Sequence, residues 1–209
     1  MPIPFTLLAV LAGIAVAVVQ ASFFEWTFHR FWLHRPGQPG GRLASHTLVH
    51  HQLRKIEDTF HVEDEAQREA PSFEWWGGPA LVLINVLPWA LLAWGFAALG
   101  VSLPVAAFVI AFGATMALYY LGYEGLHFLM RKPALGVVER GRYFQFIKRH
   151  HRIHHLRMDR NLNVLLPLAD LVIGTLVVEE PAPAPTPDTA RRLARRHSRF
   201  GKGIQGGAR

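Results

Sequence analysis

The 209-residue sequence contains no cysteine. This absence excludes disulfide bonds, thiolate metal ligands, iron–sulfur clusters and a cysteine nucleophile. Charge is also scarce: 18% of the residues are Asp, Glu, Lys or Arg, while 51% are hydrophobic. Soluble domains average about 25% charged residues. The composition therefore disfavours a soluble or disordered chain and favours an integral membrane protein.

Two long segments carry no charged side chain. The first precedes Glu25, and the second covers residues 75–123. A membrane-spanning helix needs about 20 apolar residues, so the second segment is long enough for two spans and a turn. We therefore predict spans over about residues 4–24, 79–99 and 104–120. A cleaved signal peptide is the alternative for the first segment, but no Lys or Arg precedes its apolar core.

The positions of the charges predict which side of the membrane each segment faces. Three spans place residues 25–74 and the chain after residue 124 on the same side. Lys and Arg near membrane ends mark the cytoplasmic side; those nearest here are Arg30, Arg35, Arg131 and Lys132. We expect an all-α integral membrane protein with three transmembrane helices, four being the alternative count, and a cytoplasmic helical cap. The membrane is a bacterial inner membrane or an ER-type membrane.

The end of the chain differs in composition from the rest. Residues 1–180 form the predicted membrane domain, whereas residues 181–187 alternate proline with small residues, which is typical of a stiff extended linker. The remainder is rich in Arg and has one acidic residue, Asp188. We interpret residues 181–209 as a Pro-rich linker and a basic disordered tail. Anionic lipid headgroups are its expected partner, and nucleic acid is not expected for a membrane-tethered chain.

Histidine is abundant, with 12 residues, and most of them cluster just beyond the ends of the apolar spans. The clusters are His29 and His34; His46, His50 and His51, followed by His61; His127; and His150, His151, His154 and His155. Helical spacing places His46 and His50 on one face and lets His151, His154 and His155 converge. His29 and His34 lie about 140° apart on an ideal helix, so if they share a site, either the helix end must loosen or the site must straddle it.

The number of clustered imidazoles favours a metal centre. Imidazole is a ligand for zinc, copper, iron and nickel. One ion takes about four to six ligands, so about nine histidines favour two ions close together. A pH sensor needs only one or two histidines. A histidine-rich metal tract would be continuous, whereas these residues alternate with apolar ones at helical spacing.

The four clusters resemble the histidine boxes of the fatty acid hydroxylase and sterol desaturase superfamily, which are membrane oxygenases with a non-haem two-metal centre. The matching residues are His29 and His34 after Glu25-Trp26 for H-x4-H; His46, His50 and His51 for the second box; and His151, His154 and His155 for H-x2-HH. The stretch from Asn161 through Asp170 to Gly174-Thr175 is similar to the ending of that family. The resemblance covers about residues 22–178.

The third box departs from the family pattern. It usually reads H-x3-H after a tyrosine, but here Tyr123 and His127 are followed by Arg131. A guanidinium stays protonated and has no lone pair to donate, so Arg131 cannot replace an imidazole ligand. Either His150 or His61 supplies the missing contact, or one metal is coordinatively open.

The resemblance implies a membrane enzyme that uses two iron ions, with zinc as a metal it could carry when isolated, and O2 to hydroxylate a C–H bond of a lipid. The implied ligands are His29, His34, His46, His50, His51, His127, His151, His154 and His155, and the residues expected to orient them by hydrogen bonds are Glu25, Asn163 and Asp170. A separate donor of the ferredoxin or cytochrome b5 type would supply electrons, since the sequence has no dinucleotide-binding fingerprint.

Three alternatives stay open at this point. A carotenoid hydroxylase and a lipid desaturase would use the same box pattern with a different substrate or a different outcome. A non-catalytic membrane metal-binding protein belongs to another class, and the change at Arg131 is the feature that favours it.

Overall fold

The computed structural model describes residues 4–33, 76–101, 104–131 and 134–179. Within these ranges every regular element is helical. The elements are α1 (Phe5–Phe28), a π-helical turn (His29–Leu33), α2 (Gly77–Ala98), α3 (Val105–Arg131), α4 (Gly136–Glu139), α5 (Arg142–Leu156) and α6 (Leu168–Ile173). The predicted all-α class is therefore confirmed for the described part of the chain. The predicted linker and tail after residue 180 lie outside it.

Three of these helices are long and apolar enough to cross a membrane, as the charge-free segments predicted. They are Phe5–Leu33, Gly77–Ala98 and Val105–Met130. The boundaries differ from the prediction at two ends. Helix α1 continues to Phe28 instead of ending near residue 24, and α3 continues to Arg131 instead of ending near residue 120. The prediction stopped α3 where charge begins, but charge does not end a helix. The first residue after Pro104 that excludes helical hydrogen bonding is Pro133.

The α1–α3 pair is the most extensive helix packing in the described bundle. Its buried core consists of Ala17, Ala21, Phe112 and Met116. Close approach depends on Gly13, because a Cβ atom there would lie 2.5 Å from the backbone oxygen of Phe108. Small residues at helix contacts are the usual way in which membrane helices approach each other closely.

Helix α2 packs along the same helix, α3, but makes little direct contact with α1. Near its start, Gly78 faces the ring of Tyr120, and a Cβ atom at this glycine would overlap that ring. Past the other end of α2, Gly100 has a φ of +72° and turns the chain toward α3. The two outer helices therefore flank α3 and leave a gap between them.

The helices after α3 pack against the ends of α1 and α3. The buried side chains that join α5 to α3 and the following loop are Tyr123, Leu129, Met130, Phe144, Ile147 and Val164. Helix α6 packs on α1, where Trp26 contacts Leu162 and Ala169. This arrangement brings the histidine-bearing face of α5 next to the histidines at the ends of α1 and α3.

Candidate metal centre

Five buried histidines from three elements face one another where α1, α3 and α5 meet. They are His29 in the π-helical turn, His127 in α3, and His151, His154 and His155 in α5, and each is exposed by 2% or less. Burial of polar rings costs free energy unless hydrogen bonds or a metal compensate for the lost water. So dense a cluster is therefore a candidate site rather than ordinary core packing.

The rings lie close enough to share ligands. The centroid distances are 4.5 Å between His29 and His154, 5.1 Å between His127 and His151, and 4.6 Å between His151 and His155. The Nε2 atoms of His151 and His155 are 3.0 Å apart. Two nitrogens bound at right angles to one ion, each about 2.1 Å from it, would be separated by about 3.0 Å. This spacing fits a pair of ligands on one metal.

Backbone carbonyls fix the orientation of two of these rings. His29 Nδ1 lies 2.6 Å from the carbonyl oxygen of Leu162, and His154 Nδ1 lies 2.7 Å from that of Arg160. A carbonyl only accepts, so each Nδ1 carries the proton, and the lone pair of the neutral ring is on Nε2. Metal-binding histidines are held in this way in proteins. The chemistry of the donor set therefore fits a metal ligated through Nε2.

The end of α1 departs from α-helical geometry at His29. Residues His29–Leu33 form a π-helical turn at the end of α1. Because a π-helix joins residue i to residue i+5, a residue five positions on returns close to the same face. The helix end is thus loosened at His29, which is one of the two arrangements expected for an H-x4-H pair, while His34 itself lies outside the described residues.

His150 has a different environment from its neighbours in α5. Its Nε2 lies 3.4 Å from Oδ2 of Asp170, and its ring lies 6.1 Å from that of Phe146. Its backbone carbonyl accepts a hydrogen bond from the side chain of Asn161. His150 is therefore placed beside Asp170, and its role as an additional ligand stays a prediction.

Asp170 organises the loop that holds His29. Its buried carboxylate accepts hydrogen bonds from the backbone amides of Leu162 and Asn163 at 3.0 and 2.8 Å, and from the Thr175 hydroxyl at 2.6 Å. Burial alone would raise the pKa of Asp170, but hydrogen bonds from His150, Thr175 and the two amides outweigh it and hold the pKa below its usual value. Asp170 thus fixes Leu162, whose carbonyl holds His29.

Glu25 has different partners from the one expected. The sequence predicted that its carboxylate would accept from a ligand imidazole, but the Nδ1 partner of His29 is the Leu162 carbonyl. The Glu25 carboxylate instead accepts from the Tyr119 hydroxyl at 2.8 Å, from Asn163 Nδ2 at 3.3 Å and from the backbone amide of Val164. Glu25 therefore ties α1 to α3 and to the loop.

Two residues to which the sequence analysis gave no role, Asn161 and Thr175, complete this polar network. Asn161, with a φ of +53°, donates to the carbonyls of His150 and Val177 and accepts from the Val177 amide. Thr175 accepts from Trp26 Nε1 at 2.9 Å while donating to Asp170. An isolated Asn ahead of an apolar run is a signal for a left-handed residue, but nothing in the sequence identifies its partners.

The remaining predicted ligands, His34, His46, His50, His51 and His61, lie outside the described residues. Among the residues that are described, no three His, Asp or Glu side chains are arranged to hold one metal ion together. The predicted ligand set therefore stays a prediction as a set, although the structure brings five of its members into one cluster.

The fold and this cluster define an integral membrane protein with three spanning helices and a buried polyhistidine site at one end of the bundle. The chain belongs to the fatty acid hydroxylase family, whose family model matches residues 14–175. This confirms the resemblance carried by the histidine boxes. No curated protein and no solved structure matches the chain significantly. The family consists of membrane lipid hydroxylases and desaturases, which are oxidoreductases.

Proposed function

We propose that this protein is a non-haem di-iron oxygenase that hydroxylates a C–H bond of a membrane lipid with O2 and electrons from a separate protein. Membership of the fatty acid hydroxylase family supports the class of reaction. The observation that carries the proposal is that the buried histidine cluster borders an apolar groove between the membrane helices, since His29 belongs to both.

The donor set suits iron, for which imidazole is a preferred ligand. His29, His127, His151, His154 and His155 would hold the ions together with the predicted ligands His34, His46, His50 and His51. Bound iron would supply the activation of O2, which no protein side chain provides. The role of the protein is to orient the imidazoles through the Leu162 and Arg160 carbonyls and to shield the site from water.

The groove supplies a place for a lipid chain. Its lining comes from α1, α2 and α3: Ala21, Phe24, Glu25, Phe28, His29, Leu33, Leu81, Val82, Asn85, Met116, Tyr119, Tyr120 and Tyr123. Most of these side chains are apolar or aromatic, which suits a hydrocarbon chain better than a polar substrate. A chain in this groove would have one of its carbons next to His29, where the reaction is proposed to take place.

Two polar residues in the groove wall keep this geometry fixed. Glu25 and Tyr119 bind each other across the α1–α3 contact, and Glu25 also binds the Asn163 side chain. Holding a reacting carbon within a narrow range of positions lowers the barrier by removing orientational freedom. We assign Glu25 and Tyr119 this positioning role.

The test is incorporation of labelled oxygen. The purified, iron-loaded protein is supplied with a ferredoxin-type reductant, 18O2 and a lipid extract. We expect a lipid product that carries one 18O atom, and no such product from His151→Ala. A lipid product that has lost two hydrogens and gained no oxygen would establish a desaturase. An 18O-labelled carotenoid product would establish a carotenoid hydroxylase.

A non-catalytic metal-binding protein is the competing function, favoured by Arg131 in the third box. It predicts bound metal without oxygen-dependent change in any lipid. Comparison of lipids from cells with and without the gene would then show no difference, which would contradict the proposed oxygenase.

A further inference from the structure

The groove extends from the histidines to the lining residues that lie deepest in the bundle. It follows the gap between α1 and α2, with α3 as its base, because α1 and α2 each pack on α3 and little on each other. His29 and Leu33 line it at the metal end, and Ala21, Asn85 and Met116 line it deepest in the bundle. The eight helical steps from Ala21 to His29 correspond to about 12 Å of groove.

Three side chains bridge the gap at the inner end. Gln20 on α1 donates from Nε2 to Asn85 Oδ1 on α2 at 3.0 Å. Trp89, one turn further along α2, donates from Nε1 to Gln20 Oε1 at 2.9 Å. The Trp89 ring lies 5.1 and 5.7 Å from the rings of Phe108 and Phe112 on α3. We call Gln20, Asn85 and Trp89 the inner bridge.

The polar atoms of the inner bridge bind one another. Asn85 is only 4% exposed, and it accepts from Gln20 while donating to the Leu81 carbonyl at 2.9 Å. A buried amide that lacked partners at this depth would be strongly unfavourable, so these contacts hold the side chains in place. Of its three residues Asn85 lines the groove, so the bridge crosses the gap between the helices just beyond the groove. Its polar atoms already have partners and do not form a site for a polar group on the ligand.

We propose that the inner bridge sets the length of lipid chain that the groove accepts beyond the reacting carbon. The proposal rests on the proposed lipid oxygenase function and names its substrate class. This class is a single unbranched hydrocarbon chain whose methyl end points toward Trp89. The 12 Å length corresponds to on the order of ten extended methylene carbons. A longer chain would have to pass Asn85, where the groove lining ends, and would then meet the Trp89 ring, which is packed on two phenylalanines.

The test measures binding of fatty acids of graded chain length. The full-length protein in detergent is titrated with each acid, and affinity is read from the rise in its unfolding temperature, which requires neither O2 nor turnover. For Trp89→Ala we expect the preferred fatty acid to be longer than for the wild type. The ratio of the affinity for the longer acid to that for the original acid should rise about tenfold or more, because one methylene changes discrimination by about that factor. Trp94→Ala is the matched control, because Trp94 is on the same helix and is 72% exposed; it should keep the wild-type preference.

Gln20→Leu gives a second variant if Trp89→Ala does not fold. This substitution removes the hydrogen bonds of Gln20 to Asn85 and Trp89 at similar side-chain volume. We expect the difference in affinity between shorter and longer fatty acids to become smaller. Unchanged length preference in a folded Trp89→Ala or Gln20→Leu protein would overturn the inference. Length-dependent binding by a wild-type protein that turns over no lipid would contradict the proposed oxygenase function and leave the groove assignment standing. A wild-type protein that binds no chain of any length would overturn the groove assignment itself.

Discussion

At the scale of single residues, the polar groups around the histidine cluster act mainly through the backbone. Asp170 binds the amide of Leu162, and the carbonyl of Leu162 binds His29. The sequence marked Asp170 and Asn163 as residues that orient ligands, and the structure places both in the network that supports His29. The sequence did not identify the backbone groups that these side chains bind, because nearly every residue type presents the same backbone amide and carbonyl. Glu25 was expected to orient an imidazole, but its carboxylate accepts from Tyr119, Asn163 and Val164 instead.

Removal of the Asp170 carboxylate should destabilise the fold. Asp170→Ala leaves the buried amides of Leu162 and Asn163 and the Thr175 hydroxyl without their acceptor, and we expect a loss of about 3 kcal/mol in the free energy of unfolding. Asp159→Ala is the control. Asp159 is paired with Arg160 at 3.3 Å, but its side chain is 62% exposed, so the change should stay within about 0.5 kcal/mol. Thermal unfolding in detergent measures both, and equal effects would contradict the role given to Asp170.

At the scale of elements, the number of spans was predictable and their ends were not. Absence of charge identifies the parts of the chain that lipid can surround, and it predicted three helices correctly. The end of α3 shows the limit of that signal. The helix continues past its predicted end near residue 120 and carries Tyr123 and His127 to the site. The π-helical turn at His29–Leu33 could not be predicted from its residue types, since none of them specifies a π-helix. The spacing of His29 and His34 indicated only that a loosened helix end was one possible arrangement.

Helix contact between α1 and α3 should depend on Gly13. A methyl group there meets the Phe108 backbone oxygen, which cannot rotate away, so Gly13→Ala must separate the helices. We expect a loss of about 2 kcal/mol in the free energy of unfolding. Gly95→Ala is the matched variant, because no atom lies within 4 Å of the added carbon, and it should be neutral or stabilise by about 0.5 kcal/mol. Thermal unfolding of the two variants, side by side, tests this; a Gly13→Ala protein as stable as wild type would show that the contact is looser than described.

At the scale of the whole molecule, a bundle of membrane-spanning helices carries the histidine cluster at one of its ends. The described residues bring together histidines that are separated by more than a hundred positions in the sequence, such as His29 and His154. The box spacing predicted this meeting through the family resemblance, whereas helical periodicity alone predicted only which histidines share a face. Convergence of histidines from different helices depends on how the helices pack, and the periodicity of a single helix does not predict that packing.

The orientation of the bundle is a separate prediction. The charge distribution places the histidines in the cytoplasm and the α2–α3 turn outside. A reporter fused after Gly100 should therefore be external, and one fused after Arg142 internal, in intact cells. Both reporters on the same side would be incompatible with three spans and a shared site.

The central claim is that the buried histidines hold iron, and the most direct measurement is the iron content of the purified protein. We expect about two iron atoms per wild-type chain. His155→Ala should lose most of this iron while still inserting into the membrane, because its imidazole is one of a closely spaced pair with His151. His197→Ala, in the basic tail, should retain the wild-type content. Wild-type protein without bound metal, or a His155→Ala protein with normal metal content, would contradict the account.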